Sequence, residues 1–280
     1  MGKAAYMEPK ALILDGKIDD ARAILIDRVK RSPADQQSRS LLFQVMLLRG
    51  EWDKAQRQLE IAATRQAPHD MNATVYQHLI QAEKERVAVA AMEQRPTFFP
   101  EIPAYAEDFF NALELLKNKN GDAAAELFSR VEAALPVVQG TINGEAFNGF
   151  RDTDATLAFF IEAIEYERYL WVPISNIREL VVSPPATLID LIWAKGRITT
   201  WEGLTMGCFL PALYPNSFAS TDDRIRLGRL TEWHAIEGNF ARAVGQHVYD
   251  VGGTDRSIFE LADVNFSLAD PAADEKGDTN

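Results

Sequence analysis

Apolar residues recur at intervals of three and four along the first part of the chain. Leu12, Ile18, Ala21, Leu25 and Val29 follow that spacing, and so do Leu41, Leu42, Val45, Met46 and Leu48. It is the period of a helix with one buried face. The breaks between such stretches are short (Asp15-Gly16, Ser32-Pro33, Gly50, Pro68), so successive helices are expected to pack antiparallel. The breaks also repeat. Gly16 to Gly50 is 34 residues, Ala21 to Ala55 is again 34, and Pro33 to Pro68 is 35. Each glycine is followed two residues later by Ile18 or Trp52, and five later by an alanine. A helix-turn-helix unit of this length is the tetratricopeptide pattern, in which glycine permits the turn and the small alanine lets two helices approach. Gly121-Asp122 with Ala124 and Ala125 suggests a further unit, but with its alanine out of register. Between them, Asp70–Gln94 reads as one long helix, and the proline-rich stretch Pro96–Pro103 interrupts the array.

The pattern changes at Pro136. Leu170–Val172, Glu179–Val182, Leu188–Trp193, Arg197–Trp201 and Met206–Leu210 are short, rich in β-branched and aromatic residues, and bounded by Gly, Pro, Asn or Ser. Asn143-Gly144 and Asn148-Gly149 are tight-turn dipeptides. Val244–Val251, Gly252-Gly253 and Ser257–Phe266 read as a hairpin, whereas Thr153–Tyr166 reads as a helix with Leu157, Phe160, Ile161 and Ile164 on one face. The expected fold is α+β and multidomain. A tetratricopeptide-like α-superhelix over residues 1–136 precedes a small strand-rich α+β domain over 137–268, and residues 269–280 form a disordered acidic tail. The two halves are expected to build separate cores, divided between Leu135 and Gly140.

Charge and cysteine content narrow the function. Twenty-nine Lys and Arg against forty-one Asp and Glu leave a net charge of −12. A surface of that sign repels phosphate, which argues against nucleic-acid binding and polybasic membrane attachment. Cys208 is the only cysteine, so the chain cannot form an internal disulfide or a thiolate-rich zinc site. Met1–Tyr6 has no apolar run, and no stretch approaches the ~20 apolar residues that span a bilayer. A cytoplasmic protein without membrane insertion is expected.

Candidate chemistry is sparse. His69, His78, His234 and His247 show no metal-ligand spacing, and they read as surface or partly buried imidazoles. Cys208 lies in an apolar strand and reads as a buried structural thiol. No phosphate loop, dinucleotide fingerprint or nucleophile elbow occurs. Neither catalytic residues, nor a metal site, nor a cofactor is expected. Thr141, Asn143 and Glu145 cluster around Gly140 and Gly144 and form an alternative polar site, although a hairpin turn calls for Asn-Gly in any case. Trp171, Trp193 and Trp201 could line a pocket but read first as core. Glu162, Glu165 and Glu167 read as a solvated helix face.

One ordered set of segments stands out: "LLFQVMLLRGEWDKAQRQLEIAA" (41–63), "GTINGEAF" (140–147), "RYLWVPISNI" (168–177), "PPATLIDLIWAKGRITTW" (184–201) and "GRLTEW" (228–233). From about Leu12 to Phe266 the chain resembles the ImpE family, also called SciE or TagJ, an accessory component of bacterial type VI secretion systems. The resemblance implies a non-catalytic adaptor. Its implied partner is the small subunit of the contractile sheath, bound through that subunit's N-terminal helix, with an indirect link to a AAA+ unfoldase that recycles the sheath. The family's Gly-rich, Arg-containing C-terminal strand appears here as "GQHVYDVGGTDRSIFELADVNF", which puts in doubt any role resting on a basic residue there. Tetratricopeptide positions 2, 5, 9 and 12 line the concave face. With Gly50 at position 15 these are Gln37, Ser40, Gln44 and Leu47, and one unit later Met71, Thr74, His78 and Gln81. The competing reading is a small-molecule-binding or enzymatic C-terminal domain carrying a helical docking module.

Overall fold

A computed structural model describes residues 8–63 and 71–268, and the fold is α+β. Helices α1 (Pro9–Leu14), α2 (Ile18–Arg31), α3 (Gln36–Leu48), α4 (Trp52–Ala63) and α5 (Met71–Ala90) come first. Strand β1 (Thr97–Phe98) separates them from α6 (Ala106–Lys117) and α7 (Gly121–Ala134). Strands then dominate: β2 (Val138–Ile142), β3 (Glu145–Asn148), β4 (Phe150–Asp152), β5 (Phe160–Glu165), β6 (Arg168–Pro173), β7 (Ile177–Val182), β8 (Trp193–Thr200) and β9 (Thr205–Pro211). A short helix α8 (Asp223–Arg226) precedes β10 (Glu232–Glu237), β11 (Phe240–Val244), β12 (Val248–Val251), β13 (Thr254–Ser257) and β14 (Asp263–Leu268). The expected break at Pro68 and the acidic tail lie outside the described residues.

Three helix pairs share one turn. After α1 and α3 the chain passes through Gly16 (φ +69°) and Gly50 (φ +63°); after α6 the equivalent residue is Lys119 (φ +61°). In each, the left-handed residue donates to a carbonyl three back and its successor to one five back: Gly16 and Lys17, Gly50 and Glu51, Lys119 and Asn120. Counting from the left-handed residue, the fifth is always a fully buried alanine: Ala21, Ala55 and Ala124. The third pair is therefore in register after all. Sequence reading misplaced it because a lysine, not a glycine, occupies the left-handed position, and Gly121 two residues later drew the count.

Nine strands form one sheet in the order β1-β6-β5-β9-β8-β7-β14-β2-β3, antiparallel throughout except β1 against β6. Strand alternation sends Phe160, Glu162 and Ile164 of β5 and Tyr169 and Trp171 of β6 toward the helices. Ile161, Ala163, Leu170 and Val172 point the other way, into an aliphatic core closed by Phe150, Tyr249 and Val251 of the β4-β12-β13 sheet. The helix-facing side joins Leu12, Ile18, Leu48, Phe109 and Phe128 in one continuous core. The expected division into separate helical and strand cores therefore fails. The switch from helix to strand falls at 134–138, but one core runs across it and β1 adds to the sheet from the helical side.

The second half also supplies partners for the helix ends. Asp223 Oδ2 accepts from Ile18 N at 2.7 Å, at the first turn of α2. Arg229 Nη1 donates to Leu14 O at 2.7 Å, and Arg242 Nη1 to Ala90 O at 3.1 Å, each at a helix C-terminus. Such charges offset end groups that a helix leaves unpaired. Gly50 meets the same region: a Cβ there would lie 2.2 Å from the Phe218 ring.

Several local readings need correction. Residues 153–166 are a turn followed by β5, because a strand buried on both faces gives an apolar run that periodicity alone does not separate from a helix. Glu162 is thus a buried strand residue and no solvated helix face exists there. Residues 189–191 form a 3₁₀ turn before β8. The hairpin at Gly252-Gly253 joins β12 to β13 alone, and β14 leaves it to pair with β2 and β7.

Candidate partner-binding site

The face expected to bind a partner is carried by α3 and α5. Gln37 and Ser40 are exposed, and Gln44 is half-buried with its amide 3.5 Å from Ser40 Oγ. Thr74 and Gln81 on α5 are exposed and His78 is half-buried, its Nδ1 3.8 Å from Glu167 Oε2 in the β5–β6 turn. The Phe43 and Tyr76 rings, 5.5 Å apart, bring α3 against α5. Leu47 does not belong to this surface. It is 1% exposed and part of the core, because α3 buries most of its last two turns. The Met71 side chain lies outside the described residues. Among the described residues a row of amides, hydroxyls and the His78 imidazole remains, with Leu47 withdrawn into the core.

The alternative polar cluster has structural work. Asn143 (φ +50°) forms the β2–β3 turn with Gly144, donates through Nδ2 to Glu260 O at 2.8 Å and accepts at Oδ1 from Asp263 N at 3.0 Å. Glu145 Oε2 lies 3.2 Å from Arg256 Nη2. Thr141 sits within the ladder between Ala146 and Asn265. The tryptophans do not line one pocket: Trp193 is fully buried, and Trp201 donates to Ser175 O at 2.9 Å. Burial and the Glu165 charge push the Cys208 thiol up to about 12, so it is held as a thiol at neutral pH.

Sequence reading missed the most concentrated chemistry in the fold. On the face of α5 turned to the sheet, Arg86 reaches Glu162 of β5 with two hydrogen bonds, Nε to Oε1 and Nη2 to Oε2, each 2.7 Å. Its Nη2 also donates to Leu213 O at 2.6 Å. His247 bridges two carboxylates: Nε2 lies 2.9 Å from Glu162 Oε2 and Nδ1 2.9 Å from Asp152 Oδ2. Tyr169 donates to Glu162 Oε1 and accepts from Trp171 Nε1; Tyr214 donates to Asp152 Oδ1 at 2.7 Å. Trp193 Nε1 donates to Glu83 Oε1 at 2.8 Å, which adds a carboxylate from α5 itself.

Arg86, Glu162, His247 and Asp152 are each at most 4% exposed. Burial alone would neutralise Glu162 and His247, but pairing reverses that; at Asp152 burial outweighs the His247 contact and its carboxyl is raised. Burial raises the Glu162 carboxyl, yet Arg86 and then His247 hold it well below the usual carboxylate range. Burial lowers His247, yet Asp152 and Glu162 lift it to about 9, so it is an imidazolium at neutral pH. With both ring nitrogens committed to carboxylates, His247 has no lone pair for a metal or a substrate proton. The cluster acts as a clamp, fixing α5, the helix that carries Thr74, His78 and Gln81, to the sheet. The signal available in sequence was the alternation Phe160-Glu162-Ile164, which puts a carboxylate among inward-facing strand residues.

Comparison with known proteins gives this arrangement a context. The profile of the ImpE protein family matches residues 144–265, which span β5, β6 and the clamp's His247 and Asp152. A Pseudomonas aeruginosa protein, type VI secretion system accessory component TagJ, is 31% identical over 264 residues, 94% of this chain and 92% of its own. The crystal structure of protein VPA1032 from Vibrio parahaemolyticus has the same fold, with a TM-score of 0.81 at 21% identity over 95% of this chain and 98% of that one. Among the described residues no helix is long and apolar enough to cross a membrane. Similarity that runs from the first helices to the last strand places the chain in the ImpE family of type VI secretion accessory components.

Proposed function

We propose that the protein is a non-catalytic adaptor of a type VI secretion system that binds the N-terminal helix of the small contractile-sheath subunit in the cytoplasm and modulates sheath assembly or recycling. The carrying observation is the 31% identity to TagJ over nearly the full length of both chains. In this reading α1–α7 are a tetratricopeptide-like array, and the strand-rich half is a platform that fixes α5 through the Arg86–Glu162 pair. Gln37, Ser40, Gln44, Thr74, His78 and Gln81 offer the polar flank for an amphipathic helix. The sheath's AAA+ unfoldase is reached only indirectly, through the sheath subunit.

The test is titration of a labelled peptide of the small sheath subunit's N-terminal helix against the protein and against Gln37→Ala/Gln44→Ala/Gln81→Ala. Leu47 is left intact, because truncating a core leucine costs about 2–5 kcal/mol of stability on its own. The triple variant should keep its circular dichroism spectrum and lose about 1–3 kcal/mol of binding, the scale of a small anchor cluster. Wild-type affinity in a folded triple variant would contradict the α3–α5 face. No binding by either protein would contradict the sheath-subunit reading itself.

A further inference from the structure

A cleft of about 290 Å³ opens at the far end of α5, between its last turn, α6, β6 and the β10–β11 hairpin. Its floor is apolar: Val89, Phe110, Leu113 and Trp171 are buried residues that line it, and Ile236 closes the hairpin side. Its mouth is basic. Arg95, Lys117 and Arg242 stand around it against one carboxylate, Glu114. The Arg95 guanidinium lies 3.6 Å over the Phe110 ring, and Arg242 spends one N–H on Ala90 O. None of the three makes an ion pair among the described residues, although the chain as a whole carries 41 acidic against 29 basic residues, for a net −12.

We infer that this cleft docks an acidic peptide segment of a partner protein, one that lays a bulky apolar side chain against Val89, Leu113 and Trp171 and sets its flanking carboxylates on Arg95 and Lys117. Charge complementarity selects the occupant: three cations against one carboxylate around one cleft of an acidic protein favour an anionic partner and disfavour other copies of this chain. Size selects how it binds, since the space is at the small end for a ligand pocket and suits a side chain rather than a folded element. Strand addition is blocked beside it. The neighbouring edge strand β1 is two residues long, with Pro96 before it and Pro100 soon after. The site lies at the end of α5 remote from Thr74 and Gln81, so it stands or falls independently of the sheath-helix reading.

The test uses three fluorescein-labelled pentapeptides at low ionic strength: Asp-Glu-Trp-Glu-Asp, Asp-Glu-Ala-Glu-Asp and Lys-Lys-Trp-Lys-Lys. The full chain should bind the first about tenfold or more tighter than the other two, with affinity falling as salt rises. Arg95→Glu/Lys117→Glu should abolish that preference, and Ala91→Trp, which fills the cleft without touching its charges, should abolish binding while circular dichroism and thermal midpoint stay unchanged. Equal binding of all three peptides, no binding of the first, or binding indifferent to both variants would overturn the inference. A tenfold gain on removing residues 269–280 would overturn it too, because the occupant would then be the chain's own acidic tail.

Discussion

At β5 and β6 both faces of the nine-stranded sheet are buried, by different chemistry. The face closed by β4, β12 and β13 is almost wholly apolar, with Ile161, Ala163, Leu170, Val172 and Ile198 in contact. The face toward the helices carries Glu162, Tyr169 and Trp171 beside Phe160 and Ile164, and it is held to α5 by Arg86. Aliphatic packing is non-directional and tolerates small slips. A bidentate guanidinium–carboxylate pair is directional, and it satisfies its partners in one placement of α5 only. The comparison teaches that in this fold hydrophobic burial holds the layers together, while the ionic cluster fixes where α5 sits.

Breaking the ionic face should cost most. Glu162→Ala leaves Arg86 and His247 buried without their shared counter-charge, and stability should fall by about 3–5 kcal/mol. Chemical denaturation measures it, and a loss below 1 kcal/mol would show that the cluster is dispensable. Arg86→Met/Glu162→Leu removes both charges and should recover much of that loss, since an apolar replacement carries no desolvation cost.

Raising the pH attacks the same face without mutation. His247 has a folded-state pKa of about 9 against an ordinary value of 6.5. Its contribution is fully present below pH 6.5 and is lost as pH rises through 9, by a few kcal/mol if the shift is fully expressed. The thermal midpoint should therefore decline between pH 6.5 and 9, and His247→Gln should flatten that decline. An equal slope in the variant would assign the pH dependence elsewhere.

On the aliphatic face, Ile161→Val should cost only about 0.5–1.5 kcal/mol, because one methylene is lost and the remaining contacts persist. A loss matching that of Glu162→Ala would erase the contrast between the faces. The smallest effect belongs to neither face. Lys119 holds a left-handed conformation that glycine fills in the other two turns, so Lys119→Gly should stabilise by up to about 1 kcal/mol in thermal melts. A destabilised variant would mean that the Lys119 Nζ contact to Ile236 O, 3.2 Å long, outweighs the backbone strain.

Much of the helical half is legible in sequence because its signals are local. Gly16 and Gly50 mark their turns, Ala21 and Ala55 their close approaches, and the apolar period fixes the faces. Strands β6 to β9, and the turn at Asn143-Gly144, are likewise encoded within a few residues. What stays hidden depends on contacts distant along the chain. Glu162 reads as a surface charge until β5 is set against α5, and its partner Arg86 is 76 residues away. His247 is 95 residues from Asp152. Leu47 reads as a groove residue by repeat arithmetic but is claimed by the core, which shows that a borrowed phase predicts direction only where the neighbouring helices are also in place. The Lys119 turn was missed for a simpler reason: left-handed geometry is written in the hydrogen bonds of Lys119 and Asn120, not in residue type.

Native-state hydrogen exchange on Glu162→Gln tests the clamp most directly, because the substitution keeps the side chain's shape and removes its charge. The amides of Met71–Ala90 should lose protection while those of β7 and β8, against the aliphatic core, keep theirs. Equal loss in α5, β7 and β8, or unchanged protection in α5, would contradict the claim that the ionic cluster positions this helix.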